Sequence, residues 1–221
     1  MAGGVVFDCD GVLTDTTPCW DDSFVRVASE LDLVLGHEHL AELRGAALTT
    51  AAGRLAQWSP RPLRQEKVLE LLRDQLVRAI GVADLLLADG VRELLDELHG
   101  AVPVGVASNS PRAVLLHILG RLEITEYFSC AISEEDVPHP KPAPDPYLAV
   151  CRVLGVNPHQ SVAIEDSEVG MRSALAAGLT VIELAASPTP TPDRQLESTL
   201  RVRSLADPRV RPLVFGSAAC Q

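Results

Sequence analysis

Positive charge is scarce in this chain. Its 221 residues carry 19 Lys and Arg against 30 Asp and Glu, a net charge of −11 with a pI near 4.9. A nucleic-acid or anionic-membrane partner needs a basic footprint to replace counterions, so neither is expected. The five cysteines (Cys9, Cys19, Cys130, Cys151 and Cys220) are an odd, scattered set without CxxC or Cys/His spacing. That pattern argues against a disulfide framework and against a zinc site. No apolar run approaches the length of a membrane span, no signal-like segment precedes the first apolar run, and no internal repeat appears. The expectation is a cytoplasmic, monomeric globular protein, and 47% hydrophobic residues suffice for a substantial interior.

What the chain does have is an apolar run, Val5-Val6-Phe7, that stops at two carboxylates, Asp8 and Asp10, followed by Gly11. Alternate residues on an extended backbone share a side, so Asp8 and Asp10 can converge on one ligand just past a strand end. Gly11 frees the chain to turn away. Open α/β sheets place their ligands at the carboxyl ends of strands, which makes this a candidate site, although an acidic turn after a strand looks the same. Cys9, between the two aspartates, reads as a small strand residue or as a reactive thiol.

From Asp15 to about Gly81 the patterning is helical, with recurring leucines and the amphipathic stretch Glu66 to Leu72. From Asp84 onward strand and helix alternate. Strands are expected at Val102–Ala107, Cys130–Ser133, Ser161–Glu165 and Thr180–Glu183, with helices at Val91–Leu98, Pro111–Gly120, Asp145–Leu154 and Glu168–Ala177. That order predicts an α/β fold with a doubly wound parallel sheet. The expected division is a core of residues 1–14 and 84–221 and an inserted helical unit of residues 15–83. Ser187 to Asp193, with prolines at 188, 190 and 192, reads as a linker, and the segment from Arg194 to Gln221 is weakly patterned.

Three further groups fall at strand ends. Ser108-Asn109-Ser110 before Pro111 could receive phosphoryl oxygens at a helix start, or simply cap that helix. Lys141 sits among Pro138, Pro140, Pro142, Pro144 and Pro146, which stiffen its path; a solvated surface lysine is the alternative. Glu165-Asp166-Ser167 ends another apolar run, and Gly170 lets the next helix pack close. Asp8, Asp10, Glu165 and Asp166 bring four negative charges against one from Lys141. A phosphate ester would add nearly two more, so such a site needs a hard divalent cation, and all-oxygen ligands favour Mg²⁺.

DCDGVLTDT at Asp8 to Thr16, ASNS at Ala107 to Ser110, KPAPDPYL at Lys141 to Leu148 and IEDSEVGMRSALAAG at Ile164 to Gly178 together resemble the haloacid dehalogenase (HAD) superfamily. The resemblance covers Val5 to Glu183 and is to the branch with a helical cap after the first strand, similar to β-phosphoglucomutase-like and phosphoglycolate phosphatase-like enzymes. It implies a HAD-like, Rossmannoid core with an all-helical cap. It also implies a phosphoric monoester hydrolase in which Asp8 is the nucleophile forming an aspartyl-phosphate and Asp10 the general acid and then base. Ser108, with Asn109, would hold phosphoryl oxygens, and Lys141 would bridge nucleophile and transferring group. Mg²⁺ would be held by Asp8, the Asp10 main-chain carbonyl and Asp166, with Glu165 tuning the shell.

Asp10 separates the chain from the dehalogenases, which lack the second aspartate. The mutase branch tends to carry histidine where this chain has Trp20 and arginine where it has Leu48, so a phosphatase is expected, with a β-phosphoglucomutase-like mutase as the alternative. Before the motif lysine, family members often have glycine and this chain has His139-Pro140; His139 reads as a loop residue or a substrate contact. Arg44 and Trp20 are the substrate-binding candidates in the cap, each with a plainer reading as solvated helix end and hinge packing. The expected partner is a small phosphorylated metabolite. A response-regulator receiver also uses aspartates, a lysine and Mg²⁺, but there the acidic pair precedes the phosphoacceptor by a strand and no helical insertion interrupts the first crossover. An inactive scaffold is the remaining class, against which all four motifs stand intact.

Overall fold

The computed structural model describes residues 2–61, 63–185 and 199–215. Its centre is β1, Val5–Phe7, every residue of which is buried. The strand is flanked by β2, Val104–Ala107, and β4, Val162–Glu165, both parallel to it, with Val5 opposite Val104 on one side and Val162 on the other. Outward lie β3, Cys130–Ile132, on one edge and β5, Thr180–Leu184, then β6, Leu200–Val202, on the other. The order β3-β2-β1-β4-β5-β6 is parallel throughout. After β3 the chain crosses back over β1 to β4, so the direction of winding reverses between those two central strands. A crevice opens at their carboxyl ends.

Strand side chains alternate between two faces. Val5, Phe7, Val104, Val106, Val162 and Ile164 join one cluster with α5 (Val91–Leu98), α6 (Arg112–Arg121) and α9 (Val210–Phe215). Val6, Ala107, Ala163 and Val181 join a second with α7 (Asp145–Leu154) and α8 (Glu168–Ala176). Between β1 and α5 stand α1 (Thr17–Glu30), α2 (His37–Leu43), α3 (Leu48–Trp58) and α4 (Gln65–Val82). Helix α4 buries Val68, Leu72, Leu76 and Ile80 at a spacing of four, one stripe of a 3.6-residue period. The two connections to this helical segment touch: Thr14 Oγ1 donates to Leu86 O at 2.7 Å and Ala88 N–H to Leu13 O at 2.9 Å.

Differences from the sequence reading are local. The strand expected from Val102 begins at Val104, because Pro103 has no N–H to give a ladder and Val102 N–H bonds back to Leu98 O. The weakly patterned C-terminal stretch contains β6 and α9, which the sequence did not reveal. The linker reading of Ser187 to Asp193 lies outside the described residues. No helix among the described residues is long and apolar enough to cross a membrane.

Candidate active site

Asp8 is the first residue past β1. Its N–H donates to Ile164 O at 2.9 Å, the last register bond of the β1–β4 pair, so its position is set by the sheet. Lys141 reaches under it from the loop before α7. The ammonium donates to Asp8 Oδ1 at 2.7 Å and to Glu165 Oε1 at 2.5 Å, and all three residues are buried. Glu165 has no free oxygen. Its Oε1 also accepts from Tyr147 Oη at 2.7 Å, while Oε2 accepts from the Ser167 hydroxyl at 3.1 Å and from the Asp166 and Ser167 N–H groups. Gly170 makes room for this carboxylate, since a Cβ there would stand 1.8 Å from Glu165 Oε1. Gly11, at φ +84°, does the same for Asp166, whose Oδ2 would lie 2.0 Å from a Cβ.

Burial, then Glu165, holds the Asp8 carboxyl well above the usual range, with Asp166 and Asp10 adding to the effect and Lys141 opposing it. Burial and Glu165 likewise push Asp166 up to about 7. For Lys141 burial works downward, but Asp8 and Glu165 prevail and the ammonium is raised. Tyr147 is raised by burial, then by Glu165 and Asp8, so it remains a phenol and a donor. One cation thus serves a crowd of carboxylates. Asp8, Glu165 and Asp166 each offer an oxygen within 4.8 Å of the others, and Asp166 Oδ1 is buried with no partner. An oxygen left unsatisfied in an all-oxygen cluster fits a hard cation such as Mg²⁺.

Asp10 faces the other way. Its Oδ1 accepts from Thr16 Oγ1 at 2.5 Å and Trp20 Nε1 at 2.9 Å, and its Oδ2 from Ser110 Oγ at 2.7 Å and Ser108 Oγ at 3.2 Å. Asn109 is spent on its neighbours: Nδ2 donates to Gly45 O and Lys141 O, both at 3.1 Å, and Oδ1 accepts from Lys141 N–H at 2.9 Å. These bonds brace the main chain that carries the lysine. Asp8, Asp10, Asn109, Lys141 and Asp166 line a cavity of about 450 Å³, closed on the helical side by Trp20, Arg44, Gly45 and Ala46. Arg44 is at its mouth with both donors on Asp21, which raises the guanidinium further, by hydrogen bonding first.

Asp8, Asp10, Trp20, Arg44, Asn109, Lys141 and Asp166 therefore line one cavity, and Ser108 and Glu165 touch residues that do. His139 stands apart, exposed, with Nδ1 3.1 Å from Asp145 Oδ1. The Cys9 thiol is pushed up by burial, then by Asp10 and Asp8, so it is a packed thiol and not a thiolate. Thr16 and Tyr147 stand in the sequence only inside motifs, and Ser110 and Ser167 only as members of their groups, without roles of their own. Ser110 and Thr16 lay inside quoted motifs, but only folding shows that their hydroxyls meet one carboxylate. Tyr147, six residues past Lys141, comes back over it through the first turn of α7, with the ammonium 5.0 Å from its ring centroid.

The family model for haloacid dehalogenase-like hydrolases matches residues 3–178. The chain belongs to that family and is a hydrolase of the α/β HAD-like fold. A fructose-1-phosphate phosphatase, YqaB, of Escherichia coli K12 is 30% identical over 82% of this chain and 95% of its own length. Hexitol phosphatase B of the same organism is 30% identical over 95% of both chains. Among solved structures, CbbY from Rhodobacter sphaeroides in complex with phosphate superposes with a TM-score of 0.83 at 24% identity, covering 94% of this chain and 96% of that one, a likeness of fold.

Proposed function

We propose that this hydrolase is a Mg²⁺-dependent phosphatase of a small phosphomonoester, a sugar phosphate or similar metabolite, acting through an aspartyl-phosphate on Asp8. The observation that carries the reading is the buried Asp8–Lys141–Glu165 array beside the unpartnered oxygen of Asp166. Residues 15–83 are read as a cap over a core of residues 1–14 and 84–221, with the Leu13-Thr14 and Leu86-Ala88 contacts as the hinge.

Asp8, Asp166 and the Asp10 main-chain carbonyl would hold Mg²⁺, which when bound supplies charge neutralisation and polarises phosphoryl oxygens. The Lys141 ammonium opposes the rise that burial and Glu165 impose on Asp8 and faces the charge that builds on the transferring group. Asp8 Oδ attacks phosphorus while the bond to the leaving oxygen breaks, and Asp10 gives that oxygen its proton. Water then attacks the phosphoryl group, giving its proton to Asp10 and freeing Asp8. Ser108 grips the phosphoryl group and Asn109 fixes the Lys141 loop. The cap excludes bulk water and bulky substrates. Relatives that act on fructose 1-phosphate and hexitol phosphates support a small polyol or sugar body.

Hydrolysis is favoured over phosphosugar transfer by position 48. Leu48 is 1% exposed, packed into the helical core, and offers nothing to a second phosphate. The test is phosphate release from a panel of phosphomonoesters with Mg²⁺ and with excess chelator. Metal-dependent release is expected without a bisphosphate activator. Full turnover in chelator, or glucose 6-phosphate forming from β-glucose 1-phosphate faster than phosphate appears, would contradict it.

A further inference from the structure

Four donors meet on the Asp10 carboxylate, and they differ in kind. Thr16, Ser108 and Ser110 are hydroxyls, which rotate and can either donate or accept. Trp20 Nε1 can only donate. Its ring is also packed against Phe24, with centroids 5.7 Å apart and the planes tilted by 42°, in the first turns of α1. The oxygen facing Trp20, Oδ1, must therefore remain an acceptor whether or not the carboxyl is protonated. Oδ2, by contrast, faces only the two serine hydroxyls, which can turn. That oxygen faces Ser108 and Ser110, on the core side of the cavity where the phosphoryl group is read to sit.

We propose that Trp20 is a positioning residue for Asp10, its indole N–H holding Oδ1 and so fixing the carboxyl's orientation with Oδ2 toward the serines. The inference rests on the phosphatase reading, in which Asp10 protonates the leaving oxygen. Trp20 acts through the proton transfers of Asp10, of which kcat/KM reports the first. It has no bond to Asp8, Lys141, Glu165 or Asp166, so phosphoryl gripping, nucleophilic attack and cation binding do not depend on it. When the P–O bond to the leaving group breaks, an alkoxide needs the proton that Asp10 gives, whereas a nitrophenolate leaves without it.

The experiment compares kcat/KM of wild type, Trp20→Phe and Trp20→His on two esters, a hexose monophosphate and p-nitrophenyl phosphate, with Mg²⁺ present. Phe keeps a ring against Phe24 and removes the donor; His returns a ring N–H. For the hexose phosphate, Trp20→Phe is expected to lose roughly ten- to a hundredfold, part of the range of general acid catalysis. The nitrophenyl ester should lose several-fold less than the hexose phosphate, and Trp20→His should recover part of the hexose phosphate loss, as expected for an acid whose proton only a poor leaving group needs. Parallel losses on both esters would show wall or hinge packing and overturn the proposal, as would no loss on either. If Trp20→Phe does not fold, Trp20→Leu, which also lacks the donor, decides, a greater loss on the hexose phosphate than on the nitrophenyl ester supporting the proposal and equal losses overturning it. Wild type inactive on every ester would instead sink the phosphatase reading itself, a result distinct from a change in ratio.

Discussion

The Asp166 carboxyl is pushed up to about 7, first by burial and then by Glu165, and one of its oxygens has no partner. Its folded-state pKa lies above that of an unfolded aspartate, near 4, so the folded protein holds this proton more tightly. Below about pH 4 the group is protonated in both states and costs nothing; stability falls as pH rises toward about 7. A divalent cation works in the opposite sense, since it binds only the carboxylate and must displace the proton at lower pH. Mg²⁺ should therefore raise the melting temperature more at about pH 8 than at about pH 5.5. Asp166→Asn should remove most of that increment and leave the metal-free protein more stable at the higher pH. Equal Mg²⁺ increments at both pH values, or an undiminished one in Asp166→Asn, would contradict a cation at this carboxylate.

At the level of elements, α3 begins without a capping side chain, and what lies against its first turn is Glu134, from the loop after β3. Both Glu134 oxygens are buried without a well-formed hydrogen bond, although the Leu48 and Thr49 N–H groups are near enough to favour the anion. Burial outweighs them and pushes the carboxyl to about 7, with Glu135 adding to the rise and Arg73 opposing it. The folded pKa is again the higher one, so the cost of ionisation appears as pH rises from about 4 toward about 7. Glu134→Gln should match wild type near the bottom of that window and exceed it above by about 1–3 kcal/mol, the penalty of a poorly satisfied buried polar group. Denaturant melts of the two proteins check this. A less stable Gln variant at high pH would mean that the ionised carboxylate is a net stabiliser of α3.

Element boundaries also show where sequence stopped being readable. Strands β1, β2 and β4 announced themselves because each apolar run ends on a polar ligand set, and α5 and α7 because their apolar spacing and flanking Gly or Pro coincide. Strand β6 did not, since its three residues owe their conformation to the register with β5, Glu183 opposite Arg201, which no local pattern encodes. The site followed the same rule. Asp8, Asp10, Lys141 and Asp166 were legible as motif residues. That Glu165 accepts from Lys141 and Tyr147, and that Trp20 donates to Asp10, depends on pairs 24, 18 and 10 residues apart being folded together.

For the whole molecule, the parallel sheet brings β1 and β4 side by side at the reversal of winding, and the four site carboxylates, Asp8, Asp10, Glu165 and Asp166, stand at their carboxyl ends. The helical segment closes the cavity from the other side, with Trp20 reaching down to Asp10 and Gly45 O accepting from Asn109. The central claim is that Asp8 carries the phosphoryl group between substrate and water. It is tested by mixing the Mg²⁺-loaded protein with a hexose monophosphate, quenching in acid within the first turnovers, and mapping the phosphoryl adduct by peptide mass. The expected result is one PO₃ added to the peptide containing Asp8 in wild type and none in Asp8→Asn, whose turnover is lost. An adduct on any other residue, or steady phosphate release by Asp8→Asn, would contradict the claim.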